Sequence, residues 1–236
     1  MDPEFKLPGF IFEKHLGVGG FGAVFLFKSE LSPTKFYAIK QVSFKGIFEK
    51  LVGEVGLDKP EALKKTETLM KREVDIHYLL DEEEKKRTTQ DWNLPFFYFA
   101  CIDPITQKDY LFAIEYCQNG SLYSRILEFQ KKKTSFPEKE VIRITYGIIK
   151  ALKQLHDLKI AHRDLSSKNV MFDKNDVPKL IDFGAGRIVH DKFIPSTLMP
   201  GNPLYFPPET EINGYKYTDE SFMSGDRYMG IGDSYI

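Results

Sequence analysis

The chain has few cysteines, almost no net charge and no long apolar run. Its 236 residues include only two cysteines, Cys101 and Cys117, which excludes the disulfide framework typical of small secreted domains. No N-terminal apolar segment resembles a signal peptide, and no stretch is apolar enough to predict a membrane span. These absences predict a reducing setting, cytosolic or nuclear, with the cytoplasm as the expected location.

The balance of charge bears on the class of partner. The chain has 33 Lys and Arg against 34 Asp and Glu, so its formal net charge of -1 gives no sign of a nucleic-acid-binding surface. With 42% hydrophobic residues the chain can bury a sizeable core, and we predict two small subdomains. Residues 1–9 are expected to be a tail, and M-D-P-E-F at 1–5 is compatible with a cloning remnant and is given no role in the fold.

The most informative segments for function are A-H-R-D-L-S-S-K-N at 161–169 and L-I-D-F-G at 180–184. Phosphoryl transfer needs a carboxylate that orients the attacking hydroxyl and oxygen ligands that hold magnesium against the phosphates. Asp164 is the candidate for the first role, and Asn169 and Asp182 are the candidates for the second. The order of these residues therefore predicts a phosphoryl-transfer site.

From Phe10 onward the chain resembles the eukaryotic protein kinase family. It contains L-G-V-G-G-F-G-A-V at 16–24, Y-A-I-K at 37–40, R-E at 72–73 and P-P-E at 207–209, in the family's order. A single glycine-rich loop also occurs by chance or in dinucleotide-binding folds, but several motifs in order leave chance little room. The resemblance implies an α+β, bilobal protein-kinase-like fold. Its N-lobe would be a five-stranded antiparallel sheet plus a helix, and its mainly helical C-lobe would be truncated.

Periodicity and turn residues place these motifs on elements. Strands are predicted at 10–16, 23–28, 36–42, 96–102 and 110–116, and helices at 61–80 and 137–158. The residues that follow the glycines, at 23–27, are β-branched and aromatic, which argues against the helix that a dinucleotide-binding fold needs there. A long connection is expected at 44–60. We predict an N-lobe at 10–116, a hinge at 117–121 and a C-lobe at 122–236.

The resemblance assigns roles to further residues. Glu73 would pair with Lys40, whose ammonium would contact ATP phosphates, and Glu67 is an alternative partner. Lys168 would act beside Asp164 in catalysis. The nucleotide-binding residues would be Leu16, Gly17, Gly19, Gly22, Val24, Ala38, Lys40, Ile114, Glu115, Cys117, Met171 and Ile181. For each of these, a purely structural role in a turn, a core or a solvated surface is the alternative.

The acceptor hydroxyl is less constrained by the motifs. Ser166 replaces a lysine that is common in serine/threonine kinases, and the basic residue at Lys168 resembles tyrosine kinases and members of the tyrosine-kinase-like branch. The segment at 201–209 resembles the substrate-docking loop G-T-P-x-Y-x-A-P-E with Asn202 in place of threonine, so Lys168 and Asn202 mix features of two branches. We expect the tyrosine-kinase-like branch, with phosphorylation of serine or threonine in protein substrates, and less of tyrosine. Ser196 and Thr197 are candidate sites for an upstream kinase or for autophosphorylation.

The end of the chain departs from the family pattern. D-S-Y-I at 233–236 resembles the start of a buried C-lobe helix, with Asp226 as a second candidate, and the later helices would be missing. The first alternative function is a pseudokinase-like or fragmentary module that binds nucleotide or a partner without turnover. The second is a small-molecule kinase, which would usually lack P-P-E. The intact catalytic motifs favour an ATP- and Mg²⁺-dependent protein kinase.

Overall fold

The computed structural model describes residues 3, 5–19, 22–88 and 91–189. Several predicted features lie outside the described residues, namely Ser196, Thr197, Asn202, the P-P-E segment at 207–209, Asp226 and residues 233–236. The chain divides into two compact units, the first Met1–Lys86 with Pro95–Tyr116 and the second Arg87–Leu94 with Cys117–Ile236. None of the described helices combines the length and the apolar character needed to cross a membrane.

The first unit is built on a five-stranded antiparallel sheet. Its strands are β1 (Phe10–Gly19), β2 (Gly22–Ser29), β3 (Phe36–Val42), β4 (Phe97–Ile102) and β5 (Tyr110–Glu115), in the spatial order β1-β2-β3-β5-β4. Val24 pairs with Lys40 across β2 and β3, and Ala38 pairs with Ile114 across β3 and β5. These strands confirm the predicted N-lobe sheet. Every strand is a run rich in β-branched and aromatic residues, which favour extended structure.

Two helices accompany the sheet, one more than predicted. The connection predicted after Phe44 contains α1 (Phe44–Gly53), so that part of the prediction was wrong. The Ser43 side chain accepts a hydrogen bond from the Gly46 N–H at 3.1 Å, as an N-cap does. The second helix, α2 (Lys59–Lys86), includes the predicted helix and continues through the charged segment after Leu80.

Each face of the sheet carries its own apolar core. On one face the core joins the sheet to α1 and α2 through Ala38, Val42, Ile47, Leu51, Ala62, Met70, Phe97, Phe112 and Ile114. On the other face the core consists of Phe5, Leu7, Phe25, Phe27, Ile39, Leu111 and Ala113. Because successive side chains of a strand point to opposite faces, neighbours such as Ala38 and Ile39 enter different cores.

The N-terminal segment takes part in the second of these cores. Phe5 is only 1% exposed, and its ring centroid lies 5.5 Å from that of Phe25 and 5.7 Å from that of Phe27. Leu7, two residues further on, is also buried in this core. The expectation that residues 1–5 have no role in the fold was therefore wrong for Phe5.

The second unit is mainly helical in its described part. It contains α3 (Leu122–Lys131), α4 (Glu138–Asp157) and four short strands, β6 (Ile160–Ala161), β7 (Val170–Phe172), β8 (Pro178–Leu180) and β9 (Arg187–Ile188). The helix predicted at 137–158 is confirmed as α4, whose buried side recurs at helical spacing. The sequence did not predict α3, which begins with a capping box between Ser121 and Ser124.

Residues Arg87–Leu94 belong to the second unit, although the sequence prediction placed them in the first lobe. The Asn93 backbone N–H donates to Gln154 Oε1 at 3.0 Å, and its side-chain Nδ2 donates to the Pro178 carbonyl at 2.8 Å. The Leu180 N–H in turn donates to the Asn93 carbonyl at 2.9 Å. These hydrogen bonds attach the segment to α4 and β8.

A charge network connects α3 and α4 with the turn between β7 and β8. Arg125 pairs with Asp176, while Arg143 Nη2 lies 2.7 Å from Glu140 and 2.8 Å from Asp176. The hydrogen bond from Arg125 lowers the pKa of Asp176, and that from Arg143 lowers the pKa of Glu140. Both acids are therefore favoured in their charged forms.

Candidate active site

In the first unit, Lys40 and Glu73 form a direct ion pair. Lys40 lies on β3 and Glu73 on α2, and Lys40 Nζ is 2.5 Å from Glu73 Oε1. Glu73 is only 5% exposed, whereas Glu67, the alternative partner, is exposed. A buried carboxylate needs a charged or hydrogen-bonding partner, and Lys40 supplies one.

Three of the predicted nucleotide-binding residues share the core beside Lys40. Ala38 and Ile114 are buried there, and Val24 packs against them. Leu16, on β1, is 37% exposed. Glu115 has a structural partner, since its backbone N–H donates to the Phe96 carbonyl at 2.8 Å and its Oε2 accepts from the Phe96 N–H at 3.2 Å.

The glycines of the loop differ in their surroundings. Gly19 and Gly22 pair across β1 and β2, and Gly17 pairs with Val24. A Cβ placed on Gly22 would lie 1.7 Å from the backbone oxygen of Gln41, whereas a Cβ on Gly17 would meet nothing within 4 Å. Close packing of the backbone therefore requires glycine at position 22. It places no such requirement on Gly17, for which approach to a ligand remains the better explanation.

In the second unit, hydrogen bonds connect the two predicted catalytic-loop residues. Asn169 Nδ2 donates to the Asp164 carbonyl at 2.7 Å and to Asp164 Oδ2 at 2.8 Å. The Ile181 N–H donates to the Asn169 carbonyl at 2.8 Å, which ties this loop to the L-I-D-F-G segment. Asp164, Asn169 and Ile181 are thus brought together.

His162 supports this arrangement, and sequence reasoning assigned it no role. Its Nδ1 accepts from the Asp164 N–H at 3.2 Å, so Nε2 is the donor to the Ile181 carbonyl at 3.0 Å. Its ring also lies edge-on to Phe183, with centroids 5.6 Å apart. The signal was present in A-H-R-D, where a histidine directly precedes the charged pair of the loop.

Asp182 and Arg163 both have left-handed backbone conformations, with φ of 69° and 64°. The Asp182 Oδ1 accepts from the Gly184 N–H at 3.3 Å, and Arg163 Nε donates to the Ala185 carbonyl at 2.9 Å. Positive φ is uncommon for residues other than glycine and persists where the surroundings enforce it, often at functional sites.

The oxygen donors of Asn169 and Asp182 suit a hard cation such as Mg²⁺. Because Asn169 Nδ2 donates to Asp164, the amide is oriented so that its Oδ1 is the atom that can ligate a metal. Among the described residues, no three His, Cys, Asp or Glu side chains converge on a common point. Asn169 and Asp182 offer one amide oxygen and one carboxylate, which are oxygen donors of the kind that such a cation takes.

The remaining predicted residues of the second unit lie on other elements or on the surface. Lys168 is exposed, with Nζ 5.3 Å from the ring centroid of Tyr123 at the start of α3. Met171 lies on β7, where it pairs with Lys179, and Cys117 is buried. The structure therefore groups Lys168 with α3.

A family model, the protein kinase domain, matches residues 10–223. The chain belongs to the protein kinase domain family. The family implies ATP and a divalent metal, typically Mg²⁺. Membership also agrees with the two units described above, one built on a five-stranded sheet and one mainly helical.

Individual relatives of this kinase domain are serine/threonine kinases by name. "Probable serine/threonine-protein kinase nek2" of Dictyostelium discoideum is 29% identical over 64% of the chain and 36% of that protein. Human "Serine/threonine-protein kinase Nek2" is 32% identical over 63% of the chain and 34% of that protein. "Probable LRR receptor-like serine/threonine-protein kinase RFK1" of Arabidopsis thaliana is 29% identical over 93% of the chain. The match spans only 20% of RFK1, so all three relatives are much longer than the matched region. These comparisons give the tyrosine-kinase-like branch no support.

Proposed function

We propose that the protein is a serine/threonine protein kinase, which transfers the γ-phosphate of ATP to hydroxyl groups of a protein substrate. The observation that carries this proposal is the buried Lys40–Glu73 pair, at 2.5 Å. The pair holds the ammonium in one position, where it can bind phosphate oxygens.

The second unit supplies the groups that act on the acceptor. Asp164 orients the acceptor hydroxyl, and the two hydrogen bonds from Asn169 hold its backbone and carboxylate in place. Mg²⁺, when bound by Asn169 and Asp182, would neutralise charge on the phosphates. Lys168, which belongs to the same segment 161–169, would contact the acceptor or the transferred phosphate.

The resemblance to the family assigns contacts with the adenine ring to several apolar residues and backbone groups. In the first unit these are Leu16, Val24, Ala38 and Ile114, with backbone groups of Glu115. In the second they are Met171, Ile181 and the backbone of Cys117. Gly17, Gly19 and Gly22 would let the backbone approach the phosphates.

The acceptor, the regulation and the location are further parts of the proposal. The names of the relatives favour serine or threonine as the acceptor, whereas Lys168 and Asn202 mix features of two branches of the family. Phosphorylation of Ser196 or Thr197, by an upstream kinase or by the protein itself, would regulate activity. We place the protein in the cytoplasm.

The substitution Asp164→Asn tests the catalytic assignment. It should lower transfer of radiolabelled phosphate from ATP by roughly 10²-fold or more, while the affinity for MgATP changes by no more than about twofold. The matched control is Asp173→Asn, because Asp173 is a buried aspartate of the same unit whose Oδ1 caps a turn through Asn175 and Val177. That control should retain transfer.

Two outcomes would contradict the proposal. Transfer by Asp164→Asn at the wild-type rate would remove Asp164 from the mechanism. A wild-type protein that binds MgATP but transfers no phosphate would favour the binding-module alternative. Phosphoamino-acid analysis of the product separates serine and threonine from tyrosine.

A further inference from the structure

Asp109 joins helix α1 to the sheet. It lies in the turn just before β5 and is 7% exposed. Its Oδ1 accepts from the backbone N–H of Phe44 at 2.9 Å, and its Oδ2 accepts from Gln41 Nε2 at 3.1 Å. Phe44 is the first residue of α1, so the carboxylate satisfies a donor that the helix leaves open and lies at the positive end of the helix dipole.

Helix α1 packs in turn against the first half of α2. Ile47 and Leu51, four residues apart on one side of α1, are buried in the same core as Ala62 and Met70 of α2. The Leu57 N–H also donates to the Leu51 carbonyl at 3.1 Å, which closes the connection between the two helices. The position of α1 therefore constrains the position of α2.

Glu73 lies on the buried side of α2 between two contacts. Met70, which touches the α1 core, is three residues before it, and His77 is four residues after it on the same side. The His77 ring stacks on Phe97 of β4, with centroids 5.2 Å apart and planes at 19°. The helix is thus held on one side of Glu73 by α1 and on the other by the sheet.

We propose that α1 braces α2 in the orientation that brings Glu73 to Lys40, and that Asp109 is the positioning residue that fixes α1. This inference rests on the proposed function, in which the Lys40–Glu73 pair serves phosphoryl transfer. Asp109 binds Phe44 and Gln41 and acts on the pair through the two helices.

The substitution Asp109→Ala removes both hydrogen bonds to α1 and Gln41. We expect kcat/KM for phosphoryl transfer to fall about tenfold, since hydrogen bonds to a charged group are among the stronger ones. Asp109→Asn should restore most of the activity. Its Oδ1 can still accept from Phe44, and its Nδ2 can donate to Gln41 once that amide turns over.

The matched control is Asp103→Ala. Asp103 is a buried aspartate of the same β4–β5 turn, and its Oδ1 accepts from the Ile105 N–H at 2.9 Å rather than from α1. The control should lower the melting temperature as Asp109→Ala does, with kcat/KM within about twofold of wild type. Hydrogen exchange of the α2 amides at 66–77 should rise in Asp109→Ala and stay at the wild-type level in Asp103→Ala.

A double variant tests whether Asp109 acts through Glu73. If it does, Asp109→Ala should change kcat/KM by less than about twofold when Glu73→Gln is already present. Independent, multiplicative losses would overturn the proposal, as would unchanged α2 exchange in Asp109→Ala. The exchange measurement needs no activity, so a wild-type protein that transfers no phosphate would refute the proposed function and still leave the brace to be judged by exchange.

Discussion

Alanine at Gly22 should disrupt the fold, whereas alanine at Gly17 should disrupt only nucleotide binding. The new methyl at position 22 would lie 1.7 Å from the backbone oxygen of Gln41, 2.8 Å from its carbonyl carbon and 3.1 Å from Val42 Cα. These are backbone atoms of the paired strand β3, so no side-chain rotation can relieve the overlap. The end of the β2–β3 ladder must separate.

The size of the effect follows from what must move. Overpacking of this kind costs about 1–3 kcal/mol, and we expect the upper half of that range because the neighbour is backbone. For a chain of this length, such a loss lowers the melting temperature by about 5–10 °C. At Gly17 the methyl meets no atom within 4 Å, so the melting temperature should change by no more than about 2 °C.

The assay pairs thermal unfolding with calorimetric titration of MgATP. Gly17→Ala should bind MgATP about tenfold more weakly than wild type, because its Cβ keeps the backbone N–H from reaching the phosphates. A Gly22→Ala protein that melts like wild type would refute the packing requirement. Wild-type affinity in Gly17→Ala would refute the assignment of Gly17 to nucleotide binding.

Two further predictions concern stability. Phe5→Ala should lower the free energy of unfolding by about 3 kcal/mol, because it removes a buried ring that contacts Phe25 and Phe27, and urea titration against the exposed control Lys6→Ala checks this. Arg125 lowers the pKa of Asp176, so the stability that the pair contributes is present above the unfolded value of about 3.9 and is lost as the pH falls further. Asp176→Asn should therefore flatten the loss of stability on acidification, and an equally steep loss in urea titrations from pH 6 to pH 3 would contradict this.

The parts of the fold that could be predicted are those whose signal is local and repeated. Each strand of the sheet is a run rich in β-branched and aromatic residues, and α4 repeats Ile and Leu at helical spacing over about three turns, from Ile144 to Leu155. Helix α1 has apolar residues at the same spacing, at Phe44, Ile47, Phe48, Leu51 and Val52, but it has only ten residues and contains Gly46, so the signal is short. Its N-terminal N–H is capped by Asp109, which lies 65 residues further along the chain, and short helices depend on such tertiary contacts.

The same distinction between local signals and tertiary contacts applies to the predicted site. The choice of Glu73 over Glu67 depends on which side of α2 is buried, and that side is defined by packing against α1 and the sheet. The burial of Phe5 likewise depends on Phe25 and Phe27, more than 15 residues away, so no local pattern could separate it from a disordered tail. The roles of individual residues came from the resemblance, since spacing alone gives Lys40 and Asp164 no chemistry.

Several residues of the motifs serve the fold as well as the proposed chemistry. Gly22 is required by the Gln41 backbone, Glu115 receives the Phe96 N–H, and Asn169 is bonded at both its side chain and its carbonyl. A loss of activity on changing any of these would therefore combine two causes. Gly17 has no such structural contact within 4 Å, so it is the glycine at which loss of nucleotide binding can be separated from loss of structure. The same reasoning favours Asp164→Asn over any change at Asn169. Asparagine at position 164 still offers Asn169 Nδ2 a backbone carbonyl and a side-chain oxygen, whereas a change at Asn169 removes the donor of both hydrogen bonds.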